Sequence, residues 1–278
     1  MRELIERYYD LCSANEWARL ERYRTEYAVT LRAMKHYLPL PPAQILDCGG
    51  GPGRYAIELT KQGYAVTLFD LSRVNLSYAR TMAHAAGVAL AAYEHGTAAD
   101  LARFVDNTFD AILLLGPLYH LTDPNDRAAA LSGAYRALKP KGLLVAAFIS
   151  YYAGLRFLAK QDPEFLVRAK ERLAAFWQTG SFPPDRGDGT EFVAHFSPPA
   201  EVRPLVEKAG FTVKTVLGVE GLASMIDEKL NALEGEAWDA WVELNYRVAT
   251  DPSLHGGCEH LLCIAEKQRI GELEIDVQ

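Results

Sequence analysis

Between residues 43 and 150, short apolar runs alternate with helical stretches, and nothing else in the chain constrains the fold as strongly. AQILDC, YAVTLFD (64–70), Val88–Tyr93, FDAILLLG (109–116) and GLLVAAFIS (142–150) read as strands, and Arg54–Gln62, Ser72–Ala86 and Asp126–Leu138 read as helices between them. A crossover helix returns each strand to the same sense, so the pattern predicts an α/β fold with a doubly wound, mostly parallel sheet and helices on both faces. FDAILLLG is apolar at nearly every position, as befits a strand covered on both sides. FTVKTVLGV (211–219) and EHLLCIAEK (259–267) bring the expected sheet to seven strands. The helix over 197–210 starts at prolines and ends at glycine, the usual asymmetry of helix ends.

The whole chain, 1–278, reads as one domain with additions. Residues 41–150 form its first half, and 191–219 and 259–267 its C-terminal strands. Residues 1–39 form an N-terminal helical cap, on which Trp17, Leu20, Tyr27, Leu31, Met34 and Leu38 make one apolar stripe that includes Arg24. Residues 151–190 and 220–258 are cap insertions, the first with a helix over 151–178. The caps are rich in aromatics (Tyr8, Tyr9, Tyr151, Tyr152, Phe176, Trp177) suited to a pocket wall over the strand ends. The tail 268–278 has no assigned role.

A net charge of −7 repels a phosphate backbone and argues against a nucleic-acid partner. Cys12, Cys48, Cys258 and Cys263 form no CxxC pair and have no histidine cluster beside them, so no metal is expected and the thiols are expected to be free. The first residues lack the apolar core of a signal peptide and no run is long enough to span a bilayer, so a cytoplasmic location without membrane association is expected. Oligomeric state is not legible.

The stretch ILDCGGGPGRY (45–55) joins the first strand to the first crossover helix. Such a loop brings backbone N–H groups and a helix N-terminus close to a ligand. A phosphate-binding P-loop needs Lys-Ser/Thr after the last glycine, and Arg54-Tyr55 stand there. A dinucleotide fingerprint needs glycine at position 54, which is arginine. What remains is Asp47-x-Gly49-x-Gly51-x-Gly53, followed by Asp70 at the end of the second strand.

This ordered set resembles the class I, seven-stranded S-adenosylmethionine-dependent methyltransferases. GTAADL (96–101), FDAILLLGPLYHL (109–121), LKPKGLLV (138–145) and AGFTVKTV (209–216) are similar to further segments of that family, in the family's order. The resemblance implies S-adenosyl-L-methionine as cofactor and S-adenosyl-L-homocysteine as product. It implies a cofactor set of Asp47, Gly49, Gly51, Gly53, Asp70, Leu71, Thr97, Ala98 and Leu115. Asp47 would serve the amino group and Asp70 the ribose diol, a bidentate use of a carboxylate. Thr97 stands where the family often has aspartate, so Thr97, the backbone of Ala98, or Asp100 would face adenine.

Ligands of parallel sheets sit at the carboxyl ends of the strands, which puts the acceptor near Gly116–His120. The [DN]-P-P-[YF] motif of enzymes that methylate amino groups of adenine or glutamine is absent there, and so is a cysteine nucleophile. A small-molecule acceptor, methylated at O or N by in-line displacement, is therefore expected. His120, Tyr119 and His195 are the candidate catalytic residues, and Arg24 could meet a carboxylate. The competing readings are a cofactor-binding protein without methyl transfer and an NAD-dependent oxidoreductase.

Overall fold

The computed structural model describes residues 1–268 apart from 186 and 227. The tail thus lies, after its first residue, outside the described residues. The strands are β1 (Gln44–Cys48), β2 (Ala65–Asp70), β3 (Ala92–His95), β4 (Phe109–Leu114), β5 (Leu138–Ser150), β6 (Phe196–Ser197), β7 (Phe211–Gly218) and β8 (His260–Lys267). They form one sheet in the order β3-β2-β1-β4-β5-β8-β7. β1 to β5 pair in parallel, and β8 runs antiparallel between β5 and β7. The two-residue β6, invisible to pattern, pairs with the end of β5. The strand order reverses between β1 and β4, which opens a crevice at their carboxyl ends.

The helices that matter for the crevice are α1 (Arg2–Arg22), α2 (Arg24–Tyr37), α3 (Arg54–Lys61), α4 (Arg73–Ala85), α5 (Pro117–His120) and α6 (Pro124–Ala137). Neighbouring residues of β1 face opposite ways. Ile45 joins Val66, Leu68 and Leu113 in a core beneath α2 and α3, whereas Leu46 joins Phe69, Ile112 and Leu114 in a second core with Leu131 and Ala134 of α6. Ser72 caps α4 as expected, its Oγ accepting from Asn75 N–H at 3.0 Å.

Four sequence expectations shift. The third strand is not Val88–Tyr93 but begins at Ala92, because the Gly87 and Val88 N–H groups close the C-terminus of α4 on His84 and Ala83. The apolar stripe of residues 1–39 is broken at Tyr23, where the chain turns between α1 and α2. The helix over 151–178 is three pieces, Ala153–Gln161, Phe165–Arg168 and Lys170–Thr179. Pairing of β5 already starts at Leu138, with KPKG as an irregularity opposite Phe109–Ala111.

Within KPKG, Lys141 is exposed and sits at φ +66°, a left-handed backbone that strains any side chain bearing Cβ. Lys141→Gly is expected to stabilise the protein by roughly 0.5–1 kcal/mol, raising the thermal midpoint by about 1–4 °C. An unchanged or lower midpoint would show that the strain is relieved elsewhere.

Candidate active site

The crevice is a cavity of about 320 Å³ lined by the glycine loop, the ends of β2 and β4, α5, residues 96–99 and α1. Its floor begins where β1 ends. Gly49 has φ +71°, and a Cβ there would lie 2.3 Å from the Pro117 ring, so only glycine lets β1 turn beneath α5. A Cβ on Gly50 would lie 2.4 Å from the Asp47 carboxylate. The loop is therefore shaped around Asp47, which is fully buried and has no hydrogen-bond partner on either oxygen among the described residues. Burial, reinforced by the charge of Asp70 and only partly opposed by the nearby Ala56 N–H, pushes the Asp47 carboxyl up to about 7.

Asp70 organises the next wall. One of its oxygens accepts from Gly51 N–H at 2.8 Å, and the other from Ser72 N–H at 2.8 Å and Asn75 Nδ2 at 3.2 Å. These three bonds fix the carboxylate and leave about one acceptor position over, since a carboxylate can accept about four. Burial still raises its pKa. Asn75 also lines the cavity, and its Oδ1 has no partner among the described residues. Leu71 O accepts from His95 Nε2 at 2.9 Å.

Helix α1 roofs the cavity with Ile5, Tyr9, Glu16, Arg19 and Leu20. It is tied down along its length. Ser72 Oγ donates to Asp10 at 2.5 Å, and Arg54 Nη1 donates to Trp17 O at 3.0 Å and to Glu21 at 3.1 Å. At the corner with α2, Arg19 makes a bidentate pair with Glu26 at 2.6 and 2.9 Å. Glu26 faces His260, whose Nδ1 lies 2.6 Å from Glu220. Glu26, Glu220 and His260 put ligand-capable atoms within 4.8 Å of one another. Two positive partners already serve the carboxylates. Burial opposes the His260 charge, but Glu26 and Glu220 outweigh it and raise the imidazole to about 9. The cluster is thus an ion network that roots α1 in β8.

The wall facing the roof is α5. His120 is buried and its Nδ1 lies 2.7 Å from Val193 O. A carbonyl only accepts, so Nδ1 carries the proton and Nε2 presents a lone pair. Nε2 receives the hydroxyl of Tyr9. Burial holds His120 neutral, at about 4. Tyr119 donates to Leu115 O at 3.2 Å, and burial raises its pKa, so it stays a neutral phenol whose proton faces a carbonyl.

Of the residues singled out in the sequence, Asp47, Gly49, Gly51, Asp70, Leu71, Thr97, Ala98, Leu115, Tyr119 and His120 meet in this cavity. Gly53 is not among the lining residues. Its Cα packs α3 against α4, where a Cβ would meet that of Ala79 at 3.1 Å. His195 does not line the cavity either; its backbone N–H holds Tyr119 O at 2.7 Å and its ring lies near Ser181 Oγ at 3.4 Å. Asp100 is exposed outside the lining. Arg24 donates to Asn231 O and Leu233 O and lies over Trp238, which makes it a corner brace rather than a ligand group. Sequence reasoning missed Asn75, Arg19 and the role of Tyr9. The residues present fit a nucleoside joined to an amino acid. Unpartnered buried acceptors at Asp47 and Asn75 suit ammonium or hydroxyl donors, and Asp70 has about one acceptor position left for a ribose hydroxyl.

The chain is similar to known methyltransferases. Residues 45–142 match the family described as a methyltransferase domain. The chain is 25% identical over 206 residues to the tRNA 5-carboxymethoxyuridine methyltransferase of Escherichia coli K12, covering 73% of this chain and 72% of that protein. It is 28% identical over 191 residues to the ubiquinone biosynthesis O-methyltransferase of Xylella fastidiosa, covering 69% and 70%. The structure superposes on an S-adenosylmethionine-dependent methyltransferase from Methanosarcina mazei with TM-score 0.60 at 23% identity, covering 85% of this chain and 97% of that one. No helix among the described residues is long and apolar enough to cross a membrane.

Proposed function

We propose that this chain, a member of the class I S-adenosylmethionine-dependent methyltransferases, transfers the methyl group to O or N of a small molecule. The observation that carries the acceptor class is the roof. Helix α1 covers the cavity, which at about 320 Å³ has to hold cofactor and acceptor together. Asp123, Asp126 and Glu16 add negative charge to its lining, which disfavours a polyphosphate chain.

S-adenosylmethionine would supply an electrophilic methyl group when bound. The chain's residues would supply placement. Asp47 and Asn75 would accept from the amino-acid end, Asp70 would accept from the ribose, and Thr97 and Ala98 would face adenine. Alignment and exclusion of water by α1 then account for much of the rate. His120, neutral near pH 7, would take up the proton that an O–H or N–H acceptor must lose.

The test has two parts. S-adenosylhomocysteine should raise the thermal midpoint and NAD should not, since only a ligand of the folded state stabilises it. The protein is then incubated with methyl-labelled S-adenosylmethionine and an extract of its own source cells, and the products are separated into small molecules and RNA. Label in the small-molecule fraction is expected. Label in tRNA, the acceptor named for one relative, would replace this reading, and stabilisation by NAD alone would remove the cofactor assignment.

A further inference from the structure

We propose that Tyr9 of the roof helix is the catalytic residue that faces the acceptor, accepting its proton while passing its own hydroxyl proton to His120. The inference rests on the methyl-transfer reading. It comes from the way the hydrogen bonds fill up around α5. Val193 O occupies Nδ1 of His120, and the Tyr9 hydroxyl occupies Nε2, so the imidazole has no nitrogen left for an acceptor. Tyr119 is committed to Leu115 O. Both tyrosines line the cavity and keep oxygen lone pairs, but Tyr9 donates its one proton to a basic nitrogen, whereas Tyr119 donates to a carbonyl that cannot take the proton up.

The step balances without a further reagent. The acceptor's O–H or N–H bond breaks, its proton goes to Tyr9 Oη, and the Tyr9 proton moves to Nε2, leaving an imidazolium. The electron pair freed on the acceptor forms the bond to the methyl carbon, and the pair of the broken C–S bond stays on sulfur. Direct use of His120 would require Tyr9 to leave Nε2 and give up a bond that its position on α1 provides. Tyr9 is 111 residues from His120 in sequence, so the packing of α1 over the cavity is what assembles the pair. Proton uptake is thereby confined to the covered state, in which water is excluded.

The experiment uses the full chain. In nitrogen-15 spectra with S-adenosylhomocysteine as probe, His120 is expected as the Nδ1–H tautomer, and Tyr9→Phe is expected to move its Nε2 resonance downfield, as loss of a donated hydrogen bond does. Label transfer to the small-molecule fraction should slow by about 100-fold in Tyr9→Phe and in His120→Gln alike. The double variant should be no slower than the slower single one, because the two act as a unit. Affinity for S-adenosylhomocysteine in Tyr9→Phe should stay within about threefold, as the substitution deletes one hydroxyl. Losses that multiply, an unmoved Nε2 resonance, or wild-type transfer by Tyr9→Phe would overturn the relay. A wild-type protein that binds the probe yet labels no small molecule would instead overturn the methyl-transfer reading beneath it.

Discussion

Asp47→Asn is expected to stabilise the cofactor-free protein at pH 8 and to weaken its hold on S-adenosylmethionine. The two effects have one cause. Asp47 lies fully buried with both oxygens unpartnered, and its carboxyl is raised to about 7 from an ordinary 3.8. A raised folded value means that the stability it contributes is present below pH 3.8 and is lost as pH rises through 7. A rise of that size corresponds to about 4 kcal/mol. An amide removes the charge but keeps an unpartnered polar group, so roughly 2 kcal/mol should be recovered, or about 4–8 °C in thermal midpoint. The gain should vanish near pH 4, where wild type is itself neutral. An ammonium facing Asp47 would lose a charge-assisted partner worth about 1.5–3 kcal/mol, a 10- to 100-fold weaker dissociation constant by calorimetry. A midpoint that stays put at pH 8 would mean that the carboxylate finds compensation not visible in its surroundings.

The second large effect lies on the alkaline side and belongs to His260. Its imidazole is raised to about 9, against an ordinary 6.5, by Glu26 and Glu220, which overcome the cost of burial. The folded state then holds one more proton than the unfolded chain between those values. Stability contributed by this charge is complete below pH 6.5 and is lost as pH climbs through 9, at about 1.4 kcal/mol for each pH step of one and roughly 3 kcal/mol in all. Urea titrations at pH 6.5, 8 and 9.5 should show a steeper decline in wild type than in His260→Gln, whose remaining slope comes from Asp47 and the buried thiols Cys258 and Cys263. Equal slopes in the two proteins would assign the alkaline loss to another group. The same deprotonation strips Glu26 of one of its two positive neighbours, leaving Arg19 as the one that remains.

The floor of the site was legible because its chemistry is local. The spacing of Gly49 and Gly51 behind Asp47 marks a turn that side chains would block, and Asp70 follows from where an apolar run ends. The roof was not legible. Helix α1 buries only Ile5, Ser13 and Leu20, so no periodic face announces which residues look inward, and Tyr9 was legible only as one aromatic among several. Gly53 matched the motif for a packing reason, contact of α3 with α4, that spacing cannot distinguish from ligand contact. His195 was a plausible base by type alone; its place behind Tyr119 depends on how Phe196–Ser197 pair with the end of β5. The third strand slipped because Gly87 and Val88 close a helix, a task that outweighs the β preference of the residues after them.

The cavity has a division of labour along the chain. Its floor comes from segments threaded through the sheet, where any change disturbs strands and core together. Its roof is one uninterrupted stretch, Arg2–Arg22, joined to the rest at a single corner and by a few polar ties. The two can therefore drift at different rates in descent. Substitutions confined to that helix would change which molecules are admitted while the cradle beneath stays intact, so a new substrate range is within reach of this chain without redesign of the sheet.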